Sequence, residues 1–491
     1  MKTLFCLLYL TAFFTTRTHV EAIQPRNAAN CAYLTKKIYC YGGYVQGSSD
    51  DDSIIVLDIN KNGGDTIDNL TSQWNGTSST TDNIKFGKRA FPQAVALPDG
   101  KSFMIQGGYN YQNTTFENQT IIYNAESSGW SKQPNYIDSQ NNIRQIFYGT
   151  GVYAKSINSI VFYGGYKQRL DNTTIGTDPD EYMDKAGGFN NLTLFDLYTN
   201  TWKVPVQTNA PTTFHISQAA AYVPSNNKIY YFGGKYYKTD TRTITDSSMT
   251  YVMVYDTLAK NWSYINSKSD GVLLPRTMHS ATLLPDGHNI LIYGGTFDGS
   301  SPIEDYCYTF DINTNLWTLH NLNVQNGVSG QRYRHSAVMI DDSAVGIFFG
   351  IDNTRRSTSN FLVLDVRNVS QLSFMDRYPI SSDSSQLSKT AIIGISVGVS
   401  CGVLSILAGI VFYVRRRKQR SSHQAVQSTS HANAHPETEM LEVDWDKIDG
   451  QFIQANRQSQ TISQAPNEYN LPEGSARHSL APKVVKPDLG N

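Results

Sequence analysis

Two groups of side chains in this sequence have the types and spacing for chemistry. Asp178, Asp180, Glu181 and Asp184 gather around Tyr182. Carboxylates this dense are the raw material of a cation site, but they lack the Asp-x-Asp-x-Asp-Gly order of a calcium-binding helix-loop-helix. Further along, Lys235, Tyr236, Tyr237, Lys238 and Arg242 make a basic, aromatic stretch. Set against each other, the two would form a ligand rim; solvated loop decoration is the plainer reading. Outside the apolar run 391–414 the sequence contains no Gly-x-Ser-x-Gly, and it has no His-Glu-x-x-His or glycine-rich phosphate loop. A binding protein is therefore expected rather than an enzyme, with no catalytic residue, metal or cofactor.

Positioning such loops needs a scaffold, and the sequence writes one as a repeat. Apolar, aromatic-rich runs end in glycine doublets at Gly42 and Gly43, Gly107 and Gly108, Gly164 and Gly165, Gly233 and Gly234, and Gly294 and Gly295. A sixth run, IFFGI, keeps Gly350 and is aligned with Ile351 in place of the second glycine. Arg89, Arg276 and Arg332 lie 18 residues before a repeat glycine, and His215 shares their column. An Asp or Asn precedes a Trp by six residues four times, at Trp130, Trp202, Trp262 and Trp317. Each unit reads as four short strands, the second ending at the glycines and the fourth opening with Trp. Glycine lets the backbone turn tightly or approach a neighbour, and Asp or Asn suits the turn before the last strand. Loop length varies most after strand two, and the two candidate loops are the long ones of units three and four. Loops on a rigid scaffold are where binding usually lies.

With its Arg-x-x-His-Ser-Ala run (276–281), shortened to Arg334-His335-Ser336-Ala337 in the last unit, its doublets and its Trp column, the chain resembles the kelch-repeat family. That family belongs to the larger group of kelch-like propellers that includes galactose oxidase. The resemblance spans about residues 26–378 and implies an all-β propeller with one blade per unit, hence six. Trp74 falls 16 residues after Asp58, and the last unit lacks a Trp, so seven blades stay open. Copper oxidases of the group use an adjacent Tyr-His pair, which this chain does not contain. The His-Ser-Ala column gives His279 and His335 a structural role.

Two apolar runs set the expected compartment. Residues 1–22 read as a secretory signal, with Lys2, an apolar centre from Leu4 to Phe14 and small residues at Val20 and Ala22. Residues 391–414 carry no charge and are long enough to cross a bilayer; five positive residues follow at 415–420. The expected organisation is a signal (1–22), a propeller (23–380), a short Ser-rich stalk (381–389), a transmembrane helix (390–414) and a disordered cytosolic tail (415–491). Gly394, Gly398 and Gly402 repeat at the spacing that lets membrane helices pair, so a homodimer through the span is one expectation. The tail patch 440–448, which mixes acid with Trp445, would suit a cytosolic partner or act as a plain spacer. The exterior context makes sequons at Asn69, Asn75, Asn113, Asn118, Asn172, Asn191, Asn261 and Asn368 candidate glycan acceptors. If residues 34–37 close a two-residue hairpin, Cys31 faces Cys40 closely enough for a disulfide. The alternative is two buried thiols.

Over its 491 residues the chain holds 41 basic and 42 acidic groups, a formal charge of −1. Near neutrality excludes a basic nucleic-acid binder. The resulting expectation is a single-pass type I membrane glycoprotein at the cell surface or in the secretory pathway, whose propeller binds an outside protein or glycan. A membrane-tethered oxidase is the alternative.

Overall fold

A computed structural model describes residues 23–45, 52–60, 64–77, 84, 87–110, 115–139, 143, 145–167, 188–238, 240–241, 243–269, 271–323 and 328–378. Among the described residues six large sheets follow one another along the chain, each built on a meander of four antiparallel strands, and in the fifth a short parallel strand, Lys268–Ser269, adds to the outer edge. Blade one holds Asn30–Leu34, Lys37–Tyr41, Ile54–Leu57 and Asn75–Thr77. Blade four holds Ala219–Val223, Lys228–Phe232, Tyr251–Asp256 and Asn261–Asn266. Blade six holds Ser336–Ile340, Ala344–Phe348, Phe361–Asp365 and Ser373–Phe374. The fold is all-β and multi-bladed.

The glycine doublets are the joints of the ring. The second glycine of each blade donates its N–H to the carbonyl of the residue that enters the next blade. The bonds run from Gly43 to Arg89 (3.3 Å), Gly108 to Ile146 (2.7 Å), Gly165 to His215 (2.8 Å), Gly234 to Arg276 (2.8 Å) and Gly295 to Arg332 (2.8 Å). The sixth, from Gly350 back to Arg26 at 3.1 Å, closes the circle on six blades. At the first glycine a side chain would collide with that same carbonyl: a Cβ on Gly294 would lie 2.1 Å from the Arg332 oxygen. Arg26, Arg89, Arg276 and Arg332 reach back along their own blades, each donating to the carbonyl that ends strand two. Arg26 escaped the sequence column because it lies 16 residues from its glycine instead of 18.

The last unit is aligned one residue differently from the sequence reading. Phe349, at φ 59°, takes the first-glycine position, and Gly350, at φ 95°, takes the second. The hairpin before it is one residue shorter, pairing Ser336 with Phe348 where blade five pairs Ser280 with Tyr293. A Phe fits because of what it faces. At the joints of blades four and five, His279 and His335 pack against the first glycine, whereas the sixth joint presents Ala29, in one core cluster with Phe349.

The Asp-to-Trp step is a turn closed by side chains. Asp196, Asp256 and Asp311 each accept backbone N–H groups two or three residues on, and Asn200, Lys260 and Asn315 then turn left-handed. Each Trp then packs into its blade: Trp262, 1% exposed, lies 4.7 Å from Tyr163 of blade three and 5.1 Å from Tyr255. Trp74 keeps this role despite its odd spacing. The extra residues fold as a helix, Ile67–Thr71, N-capped by Thr66, and Trp74 packs on Phe349 and Phe361 of blade six. The same insertion holds the end of the propeller, since Ile67 donates to the Asp376 carbonyl and Tyr378 to that of Asp65. Phe374, opposite Leu364, occupies the Trp place of the sixth blade.

Cys31 and Cys40 are disulfide-bonded, paired across the first hairpin with Cα atoms 4.0 Å apart. Thr35 and Lys36, both at positive φ, make its two-residue turn. Replacing both cysteines with serine removes a short-loop constraint and is expected to cost about 2–3 kcal/mol. The check is the urea midpoint of the double variant against oxidised wild type. Cys307 is a buried free thiol whose burial pushes its pKa up to about 12.

The expectation of a membrane-anchored chain is not upheld. Among the described residues no helix is long and apolar enough to cross a membrane. The segment 391–414, with Gly394, Gly398 and Gly402, lies outside the described residues, as do 1–22 and the stalk and tail. The type I placement, the receptor reading built on it and the helix-mediated dimer are withdrawn together.

Candidate functional site

Inside the ring of glycine joints lies a second ring. Two residues after each blade's entry position, Ala28, Phe91, Tyr148, Ser217, Met278 and Arg334 all take positive φ between 52° and 58°. Left-handed backbone is costly for such residues, so the surroundings must impose it. Neighbours hydrogen-bond around the circle: Ser217 donates to the Tyr148 carbonyl at 2.8 Å, Arg334 to Met278 at 3.0 Å and Ala28 to Arg334 at 2.8 Å. The six encircle an axial pocket of about 170 Å³. Arg334 stands over Phe91, its guanidinium carbon 5.1 Å from the ring centroid, and its Nε donates to the Met278 sulfur at 3.2 Å. Behind the ring His279 and His335 are buried; loss of hydration is the largest effect on each and lowers the pKa to about 3.

A second pocket, of about 450 Å³, belongs to blade four on the face reached by the loops after strand two. The residues expected as a basic loop form a strand instead, Lys235–Lys238, between His215–Ile216 and Thr243–Asp246. Register places Tyr236 beside His215, their rings stacked at 5.9 Å, as one wall. Tyr237 turns away and stacks on Phe214 at 5.3 Å. Lys235 pairs with Asp246 at 2.9 Å and Lys238 with Asp240 at 3.4 Å, so both cations have local partners. Arg242 and the acidic group Asp178, Asp180, Glu181, Tyr182 and Asp184 lie outside the described residues.

The opposite wall was not foreseen. Tyr251 and Tyr264, from the two outer strands, stack at 4.9 Å and 14° and remain 45% and 40% exposed. Below them Tyr231 is 2% exposed. Its hydroxyl and that of Ser247 are buried without a hydrogen-bond partner among the described residues. Burial raises the Tyr231 phenol well above its ordinary pKa, keeping it a neutral donor and acceptor. His215 accepts from or donates to the Tyr163 hydroxyl at 3.2 Å; burial drives its pKa down to about 4, so it is neutral near pH 7.

Of the candidate glycan acceptors, Asn69, Asn75, Asn191 and Asn368 are exposed and Asn261 is half-buried. Asn261 accepts from Thr208 and Asn209 through its amide oxygen. Asn118 is only 9% exposed, its own carbonyl accepting from the buried Arg89, and is poorly placed for a glycan. Asn113 and Asn172 lie outside the described residues.

Comparison with known proteins agrees with the propeller. A family model described as the Attractin/LZTR1 beta-propeller matches residues 179–358, less than half of the chain. No curated protein matches. A solved structure titled "Structure of YjhT" is similar with a TM-score of 0.51 at 14% identity, covering 72% of this chain and 97% of that one. At that identity the likeness concerns the fold alone.

Two expectations are thereby corrected. The matching family model is the Attractin/LZTR1 propeller, in place of a membrane-anchored kelch-repeat protein. The exclusion of enzymatic activity does not stand either. It rested on contiguous motifs, whereas the axial pocket is lined from several blades, and the fold, which the YjhT structure resembles, does not by itself decide for or against activity.

Proposed function

We propose that the protein binds a saccharide in the blade-four pocket. The observation that carries this reading is the pair of hydroxyls without a partner among the described residues, Tyr231 and Ser247, beneath the half-exposed Tyr251–Tyr264 stack. A sugar ring offers hydroxyl groups at its edge and C–H groups on its faces. The first answer buried hydroxyls that lack a partner, and the second suit the electron-rich face of an aromatic ring. The volume lies within the range of small-molecule sites. Tyr236 and the neutral His215 complete the wall, and Asp246, paired with Lys235, adds a charged acceptor to the lining.

The test is binding of the full-length protein to a glycan array, followed by titration of the strongest ligand into Tyr264→Ala and Tyr231→Phe. Loss of the stacking face is expected to weaken binding about tenfold. Loss of one hydroxyl should weaken it by about three- to tenfold. Wild-type affinity in Tyr264→Ala would sink the assignment, as would an array with no ligand. Chromatography of the bound glycan after incubation separates retention from turnover.

A further inference from the structure

The axial pocket is independent of the blade-four site and has a different chemistry. Its lining holds one formal charge, the Arg334 guanidinium, and no carboxylate. His279 and His335 are neutral, and Ser217, Gln218 and Asn30 supply the other polar groups. A cation on a protein surface commonly finds an acid nearby, yet Arg334 has no ion-pair partner among the described residues.

It is also held in place. The left-handed backbone at φ 56° is fixed from both sides, by its N–H to the Met278 carbonyl and by its own carbonyl to Ala28. The side chain is anchored through Nε to the Met278 sulfur, while Phe91 supports its face. That leaves the two terminal nitrogens, which donate to no described protein acceptor, as a planar fork at the ring axis. Two parallel N–H donors on a fixed plane match the two oxygens of a carboxylate, and a preorganised fork gives up little entropy on engaging one.

We infer that the axial pocket binds a small organic carboxylate through the terminal nitrogens of Arg334, with Ser217 and Asn30 available to its other polar groups. A volume of about 170 Å³ limits the ligand to a few heavy atoms beyond the carboxylate, or to the acid-bearing end of something larger. No bond is made or broken in this step.

The experiment is calorimetric titration of the full-length protein with acetate, lactate, succinate and inorganic phosphate at near-neutral pH. At least one carboxylate is expected to bind at one equivalent. Arg334→Asn, with a residue that tolerates left-handed backbone, should weaken it by at least about tenfold. Arg334→Lys keeps the charge but loses the fork, so a loss of about threefold or more is expected. Met278→Leu, which frees the Nε anchor, should cost about two- to fivefold. Tyr264→Ala should leave carboxylate binding unchanged, which separates this site from the saccharide reading. Absence of binding by every carboxylate, wild-type affinity in Arg334→Asn or Arg334→Lys, or preference for phosphate would each overturn the inference.

Discussion

Gly294→Ala is expected to lose about 3 kcal/mol or more of stability, among the largest single-residue effects in the ring. The new Cβ would meet the Arg332 carbonyl oxygen at 2.1 Å and His335 Cε1 at 2.8 Å. The imidazole has some freedom to move; the carbonyl has little, because it already accepts the Gly295 N–H at 2.8 Å. Relief therefore requires opening a joint between blades. Gly287 is the control. It too has positive φ, at 76°, but a Cβ there meets nothing within 4 Å. Gly287→Ala should cost about 1 kcal/mol, the backbone penalty alone. Urea midpoints of the two variants decide the matter, and equal losses would mean that steric approach at the joint is unimportant.

Acid is expected to unfold the propeller through the two histidines behind the axial ring. In the unfolded chain a histidine titrates near pH 6.5; in the fold His279 and His335 stay neutral down to about 3. Between these values the unfolded state binds more protons, so stability is fully present above about pH 6.5 and falls as the pH drops toward 3. Each site contributes a slope of about 1.4 kcal/mol per pH unit inside that window. The groups facing them add to the effect: the buried Arg276 and Arg332 guanidiniums and the neighbouring imidazole all disfavour a second positive charge. Gln218 occupies the equivalent place in blade four, packed against Gly164, which shows that an amide fits there. His279→Gln with His335→Gln should therefore fold and flatten the decline in urea midpoint between neutral and acidic pH. A double variant as acid-sensitive as wild type would remove these histidines as the cause.

The scaffold was largely legible in sequence because its devices are local and repeated. A glycine doublet, an Asx turn and a Trp at fixed spacing each report a backbone requirement within a few residues. What escaped depends on partners distant in the chain. Phe349 takes a glycine's place only because Ala29, at the other end of the propeller, is small. Trp74 keeps its role across an insertion because that insertion folds into a helix of its own. The candidate sites were harder still. Lys235 and Tyr236 stand out by type, but their sequence suggests a loop where a paired strand forms and neutralises the lysines. Tyr231 reads as one more core aromatic, and nothing local marks its hydroxyl as unpartnered. Tyr251 and Tyr264 belong to six-residue strands in blade four, and they meet only through the diagonal of that pairing. Arg334 is an ordinary repeat residue until the ring places it on the axis.

Closure of the circle between Gly350 and Arg26 changes how the propeller can come apart. An open stack of repeats has free ends, and its terminal units fray because each lacks one neighbour. Here the number of joints equals the number of blades, so no unit is terminal and none can peel away without first breaking a joint held on both sides. Loss of order at any one blade is therefore shared with two others. The circle exchanges gradual unravelling for an all-or-none response, and the pockets on its face share that fate.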